Sequence, residues 1–550
     1  MGFVAGNTHF KNKIQDFDLG MGRKTCYADN FTLFGDEIIN VFRKGIDYEL
    51  ALYGRIDNKE EMIRLLESLD IETDEDSYLV DLYLQFGYLG FKKLEGSFAI
   101  AIMNSNGCLL VRDHLGLCSL FYTIKDDEIY FSSDLSELIK TLDIHEVDTN
   151  GVCELIGMGP SHSRGKTVYK DVFRLDGGEY LYFNGKVKKG YYFDFSSEEL
   201  NITYEEAKQK IKELLEESYE KMKEGNSCLL SGGLDSSIVL SMLGKSSKTY
   251  TINYLNNEFK EDSFLVSDDT KYVGYMIDEY QTIHQNIDIS VDELIDNLER
   301  AVDLRGYPVM ADIDTSLLVL LEKIPDVIIY TGECSDEIFS GYPWCYRDSK
   351  ALAFPWLRNL DIKEEVVNEK YRGLIKDYII KEYQRGVESS RVKDEKKIIN
   401  YLNLKYFLTN LLERQERMAI GANKDLRSPF GSYKLANLLF NLPFSYKYDG
   451  SEKRILRDIY KDKLPALIVE RKKSPYPKIK NHEFFEKIKA KLHRCLLSKD
   501  SLLYELFDMD KVLSMSDFDV PWYGQLMTLP SFYAYLYQID YWGRKYQIKL

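Results

Sequence analysis

Ser231-Gly232-Gly233-Leu234-Asp235-Ser236-Ser237 stands between an apolar run, Cys228–Leu230, and a helical run that reaches about Gly244. Two adjacent glycines let the backbone turn sharply and approach an anion closely. The serine hydroxyls add donors without bulk. The helix that follows presents unpaired N–H groups and the positive end of its dipole. A phosphate or pyrophosphate fits such a turn. The turn is not a Walker A loop. Gly244-Lys245-Ser246 looks like the tail of one, but Val239 stands where its first glycine is required.

Outward from this turn, strand-like runs alternate with helical ones. Thr249–Leu255, Thr282–Ile287 and Val327–Tyr330 read as strands. Thr203–Lys223 reads as an amphipathic helix with Thr203 as its N-cap and early glutamates. Strands alternating with helices predict a parallel, doubly wound sheet. From about Ser349 the chain reads as mainly helical. The segment before Tyr192 is different: Glu49–Tyr53, Gly96–Met103, Cys108–Arg112, Ser119–Thr123 and Glu128–Ser132 are strand-like, broken by helical Lys59–Leu69 and Ser77–Phe86. That pattern predicts an α+β unit with mostly antiparallel strands.

The chain has 550 residues and a formal charge of −17, with 44% hydrophobic and 29% charged residues. Two to four domains with sizeable cores are expected, and global disorder is excluded. The acidic balance argues against a nucleic-acid partner. Residues 453–478 are the exception, with nine Lys or Arg against three Asp or Glu. No apolar run approaches the roughly 18–20 residues that span a bilayer, and no secretory leader is visible, so no membrane partner is expected. The eight cysteines are scattered and form no CxxC, and the seven histidines form no metal-ligand pair. Reduced thiols in a cytoplasmic setting are the expectation.

A second motif makes the chemistry specific. Thr331-Gly332-Glu333-Cys334-Ser335-Asp336-Glu337-Ile338-Phe339-Ser340-Gly341-Tyr342 also follows an apolar run. Ser231–Ser237 resembles the signature of ATP-pyrophosphatase-type ligases, which cleave ATP between the α and β phosphates. Thr331–Tyr342 resembles the corresponding SGE-x-x-DE-x-F-x-GY stretch of asparagine synthetases. Ser267-Asp268-Asp269, Ala419–Phe430, Glu452–Arg457 and Arg471–Lys478 resemble further stretches of that family. Ala311–Leu317 and Arg471–Lys478 are similar to its Gram-positive branch.

The resemblance implies an α+β, Ntn-hydrolase-like (αββα) glutamine amidotransferase domain over 1–197. It implies an α/β ATP-pyrophosphatase domain over 198–550, with a helical C-terminal part. Carried over residue by residue, it implies that Asp235 and Asp336 hold Mg²⁺ on the phosphates of ATP, since hard oxygen ligands suit that ion. Leu230, Ser231, Gly232, Gly233, Ser236, Ser237 and Gly332 would complete the nucleotide site. Glu333 would position or deprotonate the nucleophile. Lys453 and Lys473 would neutralise charge on pyrophosphate and adenylate.

Glutamine-dependent members of the family begin Met-Cys-Gly and use that cysteine as nucleophile, with its own α-amine as base. This sequence begins Met1-Gly2-Phe3. The family's Tyr-Asn-Gly-Glu-Ile-Tyr-Asn stretch appears as Leu52-Tyr53-Gly54-Arg55-Ile56-Asp57-Asn58. Tyr53 and Arg55 replace the amide and acid that would hold glutamine, while Leu94–Ala99 and Val111–Gly116 keep the family's fold residues. A scaffold without glutaminase activity is therefore expected. The nitrogen would come from free ammonia, from a partner glutaminase, or from an amine on the substrate itself. The last case is that of β-lactam synthetases and lasso-peptide cyclases, many of which carry a stretch like Gly54–Asn58. The acceptor would be a small-molecule or peptide carboxylate, aspartate or aspartyl-like. A homodimer is left open. A non-catalytic binding protein would show broken ATP residues, yet Ser231, Asp235, Glu333, Asp336 and Lys473 are all in place.

Overall fold

The computed structural model describes residues 4–8, 24–28, 31–35, 38–198, 200–257, 269–347, 353–357, 360–474, 476, 479, 481–515, 522–523 and 527–550. The chain forms two compact units, Met1–His145 with Arg164–Asp194, and Glu146–Ser163 with Phe195–Leu550. The segment Glu146–Ser163 joins the second unit because its backbone and side chains are bonded there. The Tyr535 hydroxyl donates to the Leu155 carbonyl at 2.7 Å, and the Tyr378 hydroxyl donates to the Glu154 carboxylate.

The first unit contains twelve strands among its described residues. They are β1 (Val4–Thr8), β2 (Lys24–Ala28), β3 (Phe31–Gly35), β4 (Ile38–Arg43), β5 (Ile46–Ile56), β6 (Gly96–Asn104), β7 (Gly107–Arg112), β8 (Phe121–Lys125), β9 (Glu128–Ser132), β10 (Val172–Arg174), β11 (Glu179–Phe183) and β12 (Val187–Tyr191). They form two six-stranded sheets, ordered β10-β8-β9-β1-β3-β2 and β12-β11-β7-β6-β5-β4. All the pairings are antiparallel. Helices Lys59–Glu67 and Tyr78–Phe86 lie between β5 and β6 in sequence, as the apolar spacing predicts. The Val111–Gly116 motif builds a rigid corner after β7. The Asp113 carboxylate accepts from the amides of Leu115, Gly116, Leu117 and Cys118 at 2.7–3.1 Å. The buried Arg112 guanidinium donates to the carbonyls of Cys118, Gly116 and Leu175.

The second unit is built on a five-stranded parallel sheet of β13 (Ser227–Leu229), β14 (Lys248–Tyr254), β15 (Ile283–Ile289), β16 (Ile328–Tyr330) and β17 (Asp425–Arg427). Its order is β15-β14-β13-β16-β17. β13 pairs with β14 on one side and β16 on the other. The strand order thus reverses between β13 and β16, and α/β folds bind ligands at such a switch point, beyond the carboxyl ends of the strands. The helix entering this sheet, Tyr204–Lys221, starts as its sequence predicts. The Thr203 side chain accepts from the Glu206 amide, and Glu206 accepts from the Thr203 amide at 2.7 Å. Its buried residues Ala207, Ile211, Leu215 and Tyr219 recur every four positions, one stripe of a helix.

β17 has no counterpart in the sequence reading, which took this region as mainly helical. It lies inside Ala419–Phe430 and explains that motif. The Thr331 amide donates to the Arg427 carbonyl at 2.8 Å, and the Arg427 side chain donates to the Met222 carbonyl at 2.7 Å and to Glu224 at 2.8 Å. Arg427 therefore ties the loop after β16 to the chain entering β13. No helix among the described residues is long and apolar enough to cross a membrane.

Candidate active site

The loops after β13 and β16 meet at the switch point. Leu230 follows β13 directly, and Gly233 is the N-cap of helix Leu234–Leu243. Hydroxyls organise the turn: Ser231 and Ser236 Oγ lie 3.1 Å apart, and the Gly233 amide donates to Ser231 Oγ at 3.3 Å. No side chain caps the helix, so its first amides have no side-chain acceptor. Gly232 sits in the left-handed region at φ 65°, and a Cβ there would lie 2.6 Å from Tyr272 Cβ. At Gly332 the second loop crosses the first so closely that a Cβ would lie 2.8 Å from Asp235 Cβ.

The charged groups gather where the loops cross. Lys453 Nζ donates to both oxygens of Asp235 at 2.7 Å and lies 2.6 Å from Asp336 Oδ1. The Lys473 ammonium pairs with Asp336 Oδ2. Ser335 Oγ donates to Asp235 at 2.7 Å. Gly341 packs under this cluster, where a Cβ would lie 2.2 Å from Asp336 Oδ1 and 2.4 Å from Lys453 Cε. Cys334 and Lys453, neither of them glycine, hold left-handed backbone at φ 73° and 57°. Such strain persists only where the surroundings fix it, and it clusters at functional sites.

Three acids in one loop have different proton affinities. Burial opposes ionisation of Asp336, but the ammonium groups of Lys453 and Lys473 hold it down at about 2. Burial pushes Glu337 up to about 8, with Asp336 and Glu333 adding to the rise. Its Oε1 accepts from the Tyr342 hydroxyl at 2.5 Å. Burial also raises Glu333, against the pull of Arg414 and Lys473. Arg414 Nη2 lies 3.4 Å from Glu333 Oε2.

A cavity of about 760 Å³ opens over this cluster. Leu230, Ser231, Gly233, Asp235, Ser236, Gly332, Glu333, Asp336, Lys453 and Lys473 all line it. Ten of the twelve residues singled out in the sequence thus converge on one space. The other two differ: Gly232 and Ser237 shape the turn without lining the cavity. Ser237 is fully buried, and its hydroxyl has no hydrogen-bond partner. Asp269 pairs with Arg471, whose guanidinium also donates to the Ser231 carbonyl at 3.1 Å and covers the Tyr272 ring at 4.0 Å. Ser267, Asp268, Pro475, Pro477 and Lys478 lie outside the described residues, as do Met1 and Gly2.

Sequence reasoning assigned no part to Arg414, nor to Glu452 and Arg457 within the quoted basic motif. The latter two hold the basic segment in place. Arg457 Nη2 pairs with Glu452 Oε1 at 2.5 Å, Arg457 Nη1 donates to the Arg471 carbonyl at 2.9 Å, and the Lys473 amide donates to Glu452 Oε1 at 3.0 Å. An acid five residues before an arginine was the one signal available in the sequence.

In the first unit, Tyr53, Gly54 and Arg55 lie on β5, opposite Ala99, Phe98 and Ser97 of β6. Arg55 Nε pairs with Asp57 Oδ1 at 2.6 Å. Gly54, at φ 95°, leaves room for no side chain: a Cβ would lie 2.1 Å from the Ser97 carbonyl oxygen.

Residues 210–536 match the asparagine synthase family, and residues 41–193 match the glutamine amidotransferase domain. The chain is 31% identical to glutamine-hydrolyzing asparagine synthetase 3 of Bacillus subtilis (strain 168), across 92% of this chain and 89% of that protein. It is 23% identical to glutamine-hydrolyzing asparagine synthetase 1 of the same organism, across 80% and 78% of the two chains. Glutamine-hydrolyzing asparagine synthetase B of Escherichia coli (strain K12) is 24% identical across 55% of this chain and 53% of its own.

Proposed function

The chain belongs to the asparagine synthetase family of ligases, and we propose that it adenylates a carboxylate with ATP and passes the acyl group to ammonia or an amine without a glutaminase of its own. One observation carries this reading: two loops at the switch point and the basic segment that follows β17 bring Asp235, Glu333, Asp336, Lys453 and Lys473 to the wall of one cavity. In the first step a carboxylate oxygen of the acceptor attacks the α-phosphorus of ATP, the bond from that phosphorus to the β-phosphate oxygen breaks, and pyrophosphate leaves. In the second step the amine attacks the acyl carbon, the bond to AMP breaks, and the nitrogen loses a proton. The first amides of helix Leu234–Leu243, which no side chain caps, and the serine hydroxyls of its turn suit pyrophosphate. Lys473 offsets charge on the leaving group. Glu333 orients the amine and takes its proton.

The carboxylates of Asp235 and Asp336 converge on one point, and the Lys453 ammonium holds it. Two hard oxygen donors around a site that already accepts a cation fit Mg²⁺, with phosphate and water oxygens completing its shell. Bound there, the ion would neutralise phosphate charge.

Arg55 supports the absence of glutaminase. It is paired with Asp57 where the family carries an acid for the substrate ammonium, so this position presents a cation to a cation. The same stretch, Gly54–Asn58, favours a second reading, amide closure within one substrate as in β-lactam synthetases and lasso-peptide cyclases. A partner glutaminase is compatible with the first reading, and a homodimer and a cytoplasmic setting with either.

The test is pyrophosphate release by purified protein with ATP, Mg²⁺ and a panel of carboxylic acids, alone, with ammonium or with glutamine. Release with ammonium but not glutamine supports ammonia use. Release with a peptide or amino acid alone supports the cyclase reading. Glutamate formed from glutamine above a heat-inactivated control overturns the loss of glutaminase.

A further inference from the structure

Residues 41–193 match the amidotransferase domain, yet Glu146–Ser163 within them belongs to the second unit. The chain leaves the first unit after His145 and re-enters it at Arg164. A connecting segment ordinarily runs over the surface. Here residues 151–163 are buried without a break. The excursion is pinned along its length. The Val147 amide donates to the Lys549 carbonyl at 2.9 Å, and the Ser163 amide donates to Glu154 Oε2 at 2.8 Å. The Lys363 ammonium donates to the Gly157 carbonyl at 3.2 Å, and the His162 ring meets Tyr307 edge-on at 4.6 Å.

The end of the excursion supports the wall of the ligase cavity. Tyr523 lines that cavity, and its hydroxyl is hydrogen-bonded to the side chains of Ser161 and Asn410. Ser161 Oγ donates its one proton to the Met158 carbonyl at 3.0 Å, so toward Tyr523 it can only accept. Gly159 lies against the Tyr523 ring. It sits in the left-handed region at φ 67°, and a Cβ there would lie 3.1 Å from Tyr523 Cδ2. Two π-helical turns flank this contact: Cys153–Met158 in the excursion, and Asn403–Phe407, whose Phe407 ring lies 6.4 Å from that of Tyr523. Such turns are rare and concentrate at functional sites.

From Tyr523 the contacts run to Glu333. Asn410 and Arg414 stand one turn apart on helix Leu408–Gly421, and hence on one face. Asn410 Oδ1 accepts from Arg305 Nη2 at 3.2 Å, and its Nδ2 donates to Met310 Sδ at 3.3 Å. Arg414 Nη2 lies 3.4 Å from Glu333 Oε2. The nucleotide turn is held separately, by its own serines and by Arg471.

Resting on the ligase reading above, we propose that Gly159 and Ser161 are positioning residues of the ligase site. They set Tyr523, and through Asn410 the Arg414–Glu333 pair, against the acyl group of the acceptor. A stretch that the sequence assigns to the amidotransferase half thereby serves amide formation without any glutamine chemistry.

The experiment measures pyrophosphate release by the full-length protein with ATP, Mg²⁺, ammonium and L-aspartate. Ser161→Ala is expected to raise KM for L-aspartate about three- to tenfold and to leave KM for ATP within about twofold. Ser161→Thr keeps the hydroxyl and should restore the native value. Adding Ser161→Ala to Tyr523→Phe should cost nothing beyond Tyr523→Phe alone, because the bond between them is already gone. Gly159→Ala should act in the same direction and more strongly, and the Ser161 variants carry the test if it fails to fold. An unchanged KM for L-aspartate in Ser161→Ala, or a KM for ATP that rises with it, overturns the proposal and leaves the ligase reading intact. Should the native protein release no pyrophosphate with L-aspartate, the ligase reading falls for this acid, and hydrogen exchange decides the positioning. Peptides covering Asn410 and Trp522–Tyr523 that lose protection by about threefold or more in Ser161→Ala, with helix Leu234–Leu243 unchanged, support it. Unchanged protection overturns it.

Discussion

Lys453 and Asp235 form a two-pronged ion pair, with both carboxylate oxygens 2.7 Å from one ammonium that is 2% exposed. The same ammonium reaches Asp336 at 2.6 Å. Without it, two half-buried acids would face each other across the site. Breaking such a buried group costs about 3–5 kcal/mol. Lys453→Met is therefore expected to lower unfolding stability by roughly that amount in denaturant titration. Mg²⁺ alone should restore part of the loss and stabilise the variant more than the native protein. Pyrophosphate release should fall by about 100-fold or more. An unfolding midpoint unmoved by Mg²⁺ would show that the acids do not form a cation site.

Glu337 gives stability an unusual pH dependence. Its carboxyl is raised to about 8 by burial beside Asp336 and Glu333. A carboxyl raised in the folded state stabilises fully below its unfolded value, about 4.3, and that contribution is lost as pH climbs through the folded value. Glu337→Gln keeps an oxygen for the Tyr342 hydroxyl and removes the titration. The variant is expected to gain stability over the native protein by a few kcal/mol, roughly, at pH 8 and to match it near pH 4.5. Thermal unfolding across that range checks it. A difference independent of pH would mean that Glu337 is ionised in the folded protein.

The strand–turn–helix at Ser231–Ser237 was legible in the sequence because its signals are local. Two glycines, three serines and Asp235 within one seven-residue turn already specify a strand–turn–helix anion site. The capping box of Thr203 and Glu206 and the apolar stripe behind it are likewise local, and so is the helix. β17 was not legible. Asp425–Arg427 is three residues long, and its strand character comes from pairing with β16, about a hundred positions upstream in the chain. Arg414 was hidden for the same reason. It is one of several charges on an amphipathic helix, and only folding sets it against Glu333. The attachment of Glu146–Ser163 to the second unit follows from hydrogen bonds to residues more than 200 positions away, and no periodicity announces those.

Glu452 and Arg457 are expected to act on ATP through the segment they hold. Their pair fixes the Arg471 carbonyl and the Lys473 amide, and thereby the two cations that face the nucleotide loop and Asp336. Arg457→Met should raise KM for ATP and lower kcat for pyrophosphate release together, because Lys473 is then no longer fixed. Adding Glu452→Gln should cost much less than it does alone, a coupling of about 1–3 kcal/mol in a double-mutant cycle. Additive losses would mean that the two residues support the segment separately.

Glu333 and Arg414 are expected to set the acid limb of the rate. Burial holds the Glu333 carboxyl above its ordinary range, and Arg414 pulls it down. A base must be ionised to work, so amide formation should rise with pH through the Glu333 midpoint and then level, once the rate is corrected for the fraction of free ammonia. Arg414→Met removes the downward pull, so the midpoint should move to higher pH by about 1 unit or more. Glu333→Gln should lose about 10²–10⁴-fold in rate and the limb with it. The measurement is amide product at saturating ATP between pH 5 and 8, with the acceptor held well above its KM in each variant. Saturation separates this effect from a change in acceptor binding, which moves KM. A midpoint that stays put in Arg414→Met, while KM for the acceptor rises, would assign Arg414 to binding alone and leave the tuning of Glu333 to Lys473.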